Sequence, residues 1–469
     1  MSEDNLNKTR RRLITGLAGG LGFTLSNLSH TGPISIDAVK TLNQHNSFKL
    51  WKVGLIGCGW YGNSDLFKLI QVANVEVVAL CDVDQKHLDK AAALVSQRQK
   101  SKNIPEKFSN YQTMLANTNL DIVIIGTPDH WHALQCIDAL KAGAHVYLQK
   151  PISVDVIEGE ALVAAAKKYG KVIQVGLQRR FTPHILNAKA QVLEKGLLGD
   201  VHHVDMWCYY HMRANRHPGP KPIPDYFDYE AWTGPAPMRE YDGLPHRMWW
   251  RGFMEYSNGI LGDMCVHMYD TVRWLLDLGW PKQVSSQGGI YVQTQSKANT
   301  SDTQSAVFEH DKLNCVWQHR SWGTSPNPEY PWAFALHGSK GSLIASTMKA
   351  EFIPNDKDTK PMRFEVVYEK NKYPMDLVEE DIEHNAAPAT RLQMLDFIHA
   401  IETGREPVAD IEQSHISTAS CILANLAMEL GRPLRYDPNT RTVIDDKEAT
   451  VLLAREYREG YVHPQPDTI

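Results

Sequence analysis

The chain has 469 residues, 43% of them hydrophobic and 22% charged, with a formal net charge of −5. That is too long for one ordinary core and calls for about two domains of soluble globular type. The slightly acidic balance, with no basic run beyond the N-terminus, removes the broad electrostatic attraction on which nucleic-acid binding rests. The seven cysteines are scattered without a CxxC pair, which suggests neither a disulfide framework nor a zinc site.

At the N-terminus, Thr9-Arg10-Arg11-Arg12-Leu13-Ile14-Thr15 precedes a short, glycine-rich apolar stretch from Gly16 to Leu25. The pattern resembles a twin-arginine export signal, and the apolar run is too short for a stable membrane span. Residues 1–47 are set apart as signal and linker. A periplasmic or otherwise exported protein is expected, or a cytoplasmic one if the signal does not function.

The stretch Trp51 to Asp82 then reads WKVGLIGCGWYGNSDLFKLIQVANVEVVALCD. An apolar run, Val53 to Ile56, leads into Gly57, Gly59 and Gly62 in GxGxxG spacing, with Trp60 and Tyr61 between them. A second apolar run, Val75 to Leu80, ends at Asp82. If a dinucleotide binds here, Gly57 permits the tight turn, Gly59 lets the backbone approach the pyrophosphate, and Gly62 lets the helix lie close to the sheet. Asp82 stands where a carboxylate accepts from a ribose 2′-hydroxyl and repels a 2′-phosphate, so NAD is favoured over NADP.

A helix is predicted over Gln85 to Gln99, followed by a polar loop with Pro105. A buried strand over Asp121 to Gly126 ends in Thr127-Pro128-Asp129-His130-Trp131-His132, and a helix follows to about Ala142. A strand over Ala144 to Leu148 ends in Gln149-Lys150-Pro151. A helix from Val154 to Tyr169 and a strand from Val172 to Gly176 complete the pattern. Strands alternating with helices mean a doubly wound parallel sheet, here assigned to residues 48–178. Ligands bind beyond the carboxyl ends of such strands. Thr127, Asp129, His130, His132, Lys150 and Gln178 stand there, and all of these but Asp129, together with Pro128, are expected to line the cofactor site.

Residues 179–469 change character. A helix over Phe181 to Leu197 and a strand over Val201 to Tyr210 precede an aromatic-rich passage to Asn258. A helix from Asp263 to Leu278 leads to successive strands from Gln283 to Ser346. These suggest a mainly antiparallel open sheet, through which a dimer or tetramer is expected. A polar, irregular segment runs from Pro354 to Pro388, and helices over Thr390 to Thr403, Gln413 to Leu430 and Asp446 to Arg458 follow.

Asp263, His267 and Asp270 share one helical face, an arrangement that suits general-base chemistry and equally suits capping or ion pairing. Asp263 directly after Gly262 also suits a helix N-cap. Trp207, Tyr209, Tyr210, Trp232, Trp249, Trp250 and Tyr256 suit a sugar platform or an aromatic core. His202, His203, His211 and His217 lack metal-ligand spacing, and no metal is expected.

The glycine fingerprint with Asp82, the TPDHWHA turn, the Lys150-Pro151 pair, GLQRR, GDMCVH and LGRPLRYDP resemble the Gfo/Idh/MocA family of NAD(P)-dependent oxidoreductases. The resemblance runs from Trp51 to about Pro464. It implies a dinucleotide domain followed by an α/β domain, a small-molecule sugar or polyol substrate, and catalytic roles for Lys150, Asp263 and His267. Arg180 and His211 join those three in the expected substrate site. One departure is Gln149, where the family usually has Glu; a neutral amide can still hydrogen-bond to Lys150 but removes a negative neighbour, which favours a lower lysine pKa. The leading expectation is an NAD-dependent sugar or glycoside dehydrogenase, and the alternative is a redox-neutral glycosidase that oxidises, eliminates, hydrates and reduces. A non-catalytic sugar-binding protein is weighed third and is disfavoured by the intact Lys150, Asp263 and His267 set.

Overall fold

The computed structural model describes residues 49–209, 219–243 and 249–469. Its first element is a strand, β1 (Trp51–Ile56), in which only Lys52 is exposed. It pairs in parallel with β2 (Val75–Cys81) on one side and β4 (Ile122–Ile125) on the other. With β3 (Glu106–Phe108), β5 (His145–Leu148) and β6 (Ile173–Val175), the sheet order is β3-β2-β1-β4-β5-β6, parallel throughout. Ile122–Ile125 is buried at every position, as a strand covered on both faces must be. The six-stranded doubly wound sheet agrees with expectation, except that β3 falls in what reads as a polar loop. Two of its three residues are exposed, so no apolar pattern marks it.

Three of the intervening helices start at capping side chains. Asp84 accepts from the Lys86 and His87 N–H groups at the head of α2 (Gln85–Arg98). Asn110 caps α3 (Tyr111–Asn117), and Asp155 caps α5 (Val156–Tyr169), which stops at Gly170 with φ 59°. Between them lies α4 (His132–Lys141). The first helix, α1 (Trp60–Val72), like α4, has no side-chain cap: it begins after Gly59, and its leading N–H groups are left for a ligand.

The second sheet has the order β14-β13-β12-β11-β7-β10-β9-β8. Its strands are β7 (Val201–Cys208), β8 (Gln283–Gly289), β9 (Thr303–His310), β10 (Leu313–Arg320), β11 (Trp332–Gly338), β12 (Gly341–Ser346), β13 (Lys349–Pro354) and β14 (Met362–Glu365). Only β7 with β10 pairs in parallel. Along β10, Leu313, Cys315, Trp317 and His319 are buried and alternate with outward Asn314, Val316 and Gln318. This is the period of a sheet with one face on the core.

Three elements depart from their predicted form. Asp263 is not an N-cap: the helix starts at Leu261 with a π-helical turn, Leu261–Cys265, before α6 (Val266–Leu276). The helix expected over Asp446 to Arg458 is limited to Lys447–Val451, because the following backbone is drawn to other partners, with the Arg455 N–H donating to Asp155. The Pro354 to Pro388 passage contains β14 and a 3-10 turn, Pro374–Val378, and lies along α1. Trp60 donates to the Asp381 carbonyl at 2.8 Å, Gln71 to Asp376 at 2.9 Å, and Lys68 meets Glu379 at 2.8 Å. Arg391, in α7 (Ala387–Thr403), ties Gln71, Glu369 and Asp376 together.

The Lys68–Glu379 pair is buried, at 1% and 5% side-chain exposure. Removing one partner of such a pair leaves the other charge uncompensated, at a cost of about 3 kcal/mol or more. Lys68→Met is therefore expected to lower the melting temperature, and the double variant Lys68→Met/Glu379→Met to recover most of the loss. Equal melting of single and double variants by circular dichroism would contradict the pairing.

Candidate active site

The carboxyl ends of β1, β2, β4 and β5 open into one cavity of about 1170 Å³. Its floor is set by two glycines. Gly57 has φ +89°, and a Cβ there would lie 2.7 Å from the Gly126 backbone; a Cβ at Gly62 would lie 2.0 Å from the Gly57 carbonyl oxygen. α1 therefore sits on the turn at a distance only glycine permits. Beside Gly59 a side chain would meet nothing within 4 Å, so that space is open. Asp82 lines the same cavity. Its oxygens accept from the Cys58 N–H at 2.6 Å and the Asp84 N–H at 2.8 Å, which fixes the carboxylate and leaves lone pairs for ribose hydroxyls. The uncapped helix, the open space at Gly59 and the fixed acid fit a nicotinamide dinucleotide, with Gly57, Gly59, Trp60 and Tyr61 at the pyrophosphate and Asp82 at the ribose.

At the other end stand Lys150, Asp263 and His267. The Lys150 Nζ, at the end of β5, donates to Asp263 Oδ1 at 2.6 Å and to the Asp263 carbonyl at 3.0 Å. The π turn aims Asp263 and, one turn on, His267 into the cavity, a use of π-helical geometry common at functional sites. Arg251 closes the group, its Nε 3.1 Å from Asp263 Oδ1 and its Nη2 4.0 Å from Asp129 Oδ1. Burial works against the charge on Asp263, but Arg251 and then Lys150 outweigh it and hold the carboxyl well below the usual range. Burial, followed by Lys150 and Arg179, pushes the His267 imidazole well below the ordinary histidine value. Its Nδ1 has no partner among the described residues. Asp129, buried with neither oxygen hydrogen-bonded among the described residues, is raised to about 7 by burial, with Arg251 opposing. The site thus holds one fixed anion between two cations, beside a neutral base.

Several expected site residues lie elsewhere. His130 and His132 are buried behind the cavity wall: His130 Nε2 meets the Trp232 carbonyl at 3.1 Å, and His132 sits between the Pro151 and Thr127 carbonyls at 2.6 and 2.9 Å. They hold the turn after β4, whereas Thr127 and Pro128 do line the cavity. Gly62 acts from behind through close packing, and Gln178, buried, is not among the lining residues. Arg180 is turned away from the cavity, its guanidinium on Asp270 at 2.6 and 2.8 Å and on the Val408 carbonyl. Asp270 thereby leaves the proposed base cluster. Its neighbour Arg179 lines the cavity instead, 5.2 Å over the Trp332 ring. His211 lies outside the described residues, as does the twin-arginine stretch. The Gln149 amide does not reach the Lys150 ammonium: its Nε2 donates to Asp65 at 2.5 Å and its Oε1 accepts from the Lys150 backbone N–H at 3.2 Å.

Arg179, Arg251, Trp332 and Glu383 were not expected in the site. Only Arg179 carries a local signal, as the neighbour of Arg180 at a strand end. Of the aromatic passage, Phe227, Trp232 and Trp250 face the cavity. All three are largely buried in a cluster with Tyr229, Tyr241, Phe253 and Tyr256, and Trp207 lies on β7 with its Nε1 on the Tyr330 carbonyl. The passage is a core with three edges on the cavity rather than a flat platform.

Comparison with known proteins agrees with this arrangement. Residues 51–177 match the profile of the oxidoreductase family, NAD-binding Rossmann fold, and residues 192–308 and 366–463 match that of its C-terminal alpha/beta domain. The uncharacterized oxidoreductase YrbE of Bacillus subtilis is 24% identical over 318 residues, 65% of this chain and 78% of that protein. A glycosyl hydrolase family 109 protein of a Shewanella species is 32% identical over 127 residues, 26% of this chain and 27% of that protein. The solved levoglucosan dehydrogenase, in complex with NADH and levoglucosan, superimposes with a TM-score of 0.62 at 18% identity, covering 82% of this chain and 99% of that one. The two profiles together cover well over half of the chain, and the chain belongs to the Gfo/Idh/MocA oxidoreductase family, with NAD as its nucleotide.

Proposed function

We propose that the protein oxidises a ring hydroxyl of a sugar or glycoside, with hydride passing to an NAD that stays bound. The convergence of Lys150, Asp263 and His267 at one end of the cavity carries this reading. The nucleotide supplies the hydride acceptor; the side chains handle the proton and the charge. Loss of hydride from a carbinol carbon requires the hydroxyl proton to leave. His267, neutral and with Nδ1 unengaged among the described residues, accepts that proton. Asp263, locked as an anion, is too weak a base to compete and instead orients the hydroxyl or the imidazole. The Lys150 ammonium stabilises the alkoxide as it forms.

The arginine pair before Leu13 supports export, and an exported enzyme has no cytoplasmic NAD pool to draw on. Recycling of bound NAD then follows, either by a second sugar or within one turnover. The second route is a redox-neutral glycosidase, favoured by the similarity to glycosyl hydrolase family 109 proteins. It shares the first hydride step and differs in releasing an aglycone with no lasting NADH. The outward face of the second sheet, with half-buried Val307 on β9, Val316 on β10 and Ile344 on β12, is proposed as the surface of a homo-oligomer.

Lys150→Ala and His267→Ala are each expected to lower kcat/KM by about 10²-fold or more while NAD remains bound. Full hydride transfer in either variant would contradict the assignment. Because His267 is held far below the ordinary value, it stays unprotonated on mild acidification. A base at about 6.5 would lose roughly tenfold in kcat/KM between about pH 7.5 and pH 5.5; less than about threefold is expected for this protein in the Asp129→Asn background, where the carboxyl near 7 is silent.

A further inference from the structure

The nucleotide cavity has a wall that the glycine fingerprint does not supply. Asp82, whose N–H donates to the Phe108 carbonyl at 3.2 Å just ahead of Tyr111, lines the same cavity as Tyr111, Trp131 and a distant stretch of chain, Gly460, Tyr461 and Val462. The three aromatic rings form a row, Tyr111 to Trp131 at 5.8 Å and Trp131 to Tyr461 at 5.7 Å, each edge to face. Gly460 turns the chain with φ +92°, and the Tyr461 N–H closes the turn on the Arg458 carbonyl at 3.1 Å.

This segment is tied down on both sides of the cavity. The Arg455 N–H and His463 Nε2 both meet Asp155 Oδ2, at 2.9 and 2.8 Å, at the head of α5. Tyr457 donates to Glu158, one turn further along. The Arg455 guanidinium reaches Asn258 Oδ1 at 2.8 Å and the Ser257 carbonyl at 3.2 Å, just before the turn that carries Asp263. Arg458 binds the Pro235 carbonyl through its N–H at 2.8 Å and the Gly234 carbonyl through Nε at 2.9 Å. These anchors use carboxylates and carbonyls of the first sheet's helices and of the aromatic core, so the segment is fixed before any ligand enters.

We propose that Arg455–His463 is the third wall of the adenosine site, with Tyr461 a nucleotide-binding residue, and that it keeps NAD bound between turnovers. The proposal rests on NAD occupying this cavity and deepens the reading in which the cofactor is recycled in place. An aromatic ring closing over the adenosine end adds a face that every opening motion must break. Release of NAD then requires the segment to detach, not only the nucleotide to leave.

The test is the rate at which NAD leaves purified holoprotein after rapid desalting, read as nucleotide recovered in the flow-through. Tyr461→Ala, and a chain lacking residues 459–469, are expected to release NAD at least about tenfold faster than wild type, the loss of roughly one aromatic contact, with circular dichroism reporting an unchanged fold. If the shortened chain does not fold, Tyr461→Ala decides. Release at the wild-type rate from a folded Tyr461→Ala variant would overturn the proposal, as would free exchange of NAD in the wild type. A wild type that holds NAD but is reduced by no sugar would overturn the functional reading and leave this one standing.

Discussion

Asp263 can be buried only because two cations, buried Lys150 and half-buried Arg251, stand against it. A lone carboxylate in such a place costs several kcal/mol or takes up a proton. Lys150 from the first sheet and Arg251 from the aromatic passage meet it from different directions. That joint neutralisation links parts of the chain more than a hundred residues apart in sequence. In the proposed mechanism an anion held this firmly serves as the orienting group, and the imidazole of His267 beside it serves as the base. Burial, with Lys150 and Arg179 behind it, keeps His267 uncharged, and Lys150 also acts with Arg251 to keep Asp263 charged, so Lys150 takes part in setting both states.

The parallel sheet was legible because its strands are apolar on both faces and its glycines stand at a spacing with a mechanical meaning. Gly62 illustrates how far that reading goes: the close approach of α1 expected from the motif is present, with the Gly57 carbonyl where a Cβ would be. Helix starts were legible where Asp84 or Asp155 caps them. β3 was not, since Glu106 and Lys107 are exposed and nothing in three residues distinguishes a short edge strand from a loop. Lys150, Asp263 and His267 could be named from motifs and spacing, but their company could not. Arg179 and Arg180 are adjacent and chemically identical, and which of them faces the cavity depends on Asp270 reaching Arg180. His130 and His132 stand at a strand end, as cofactor ligands do, yet His130 Nε2 is turned to the Trp232 carbonyl and the His132 ring to the Pro151 and Thr127 carbonyls. Long-range hydrogen bonding of this kind leaves no periodicity in the sequence.

The dinucleotide sheet is held by more than its own core. The Glu369 to Glu383 stretch runs along α1 through Lys68, Gln71 and Tyr61, and Glu383 reaches the cavity itself. Arg455 and His463 fasten the opposite flank to α5. Both flanks come from the part of the chain that also builds the second sheet and Asp263, so the nucleotide cavity and the reacting end are assembled together. Buried pairs such as Lys68–Glu379 contribute little net stability once desolvation is counted, and their value lies in fixing one register of the segment on the helix.

The central claim is that these side chains remove a proton from a sugar hydroxyl while hydride leaves its carbon. It is tested most directly by single-turnover absorbance of the purified, unsupplemented protein mixed with glycosides and free sugars, each compared with its carbinol-deuterated form. The account predicts NADH-like absorbance, lasting for a dehydrogenase and transient for a redox-neutral glycosidase, that rises more slowly with the deuterated sugar. A sugar or glycoside that is turned over with no such absorbance and no isotope effect would contradict it.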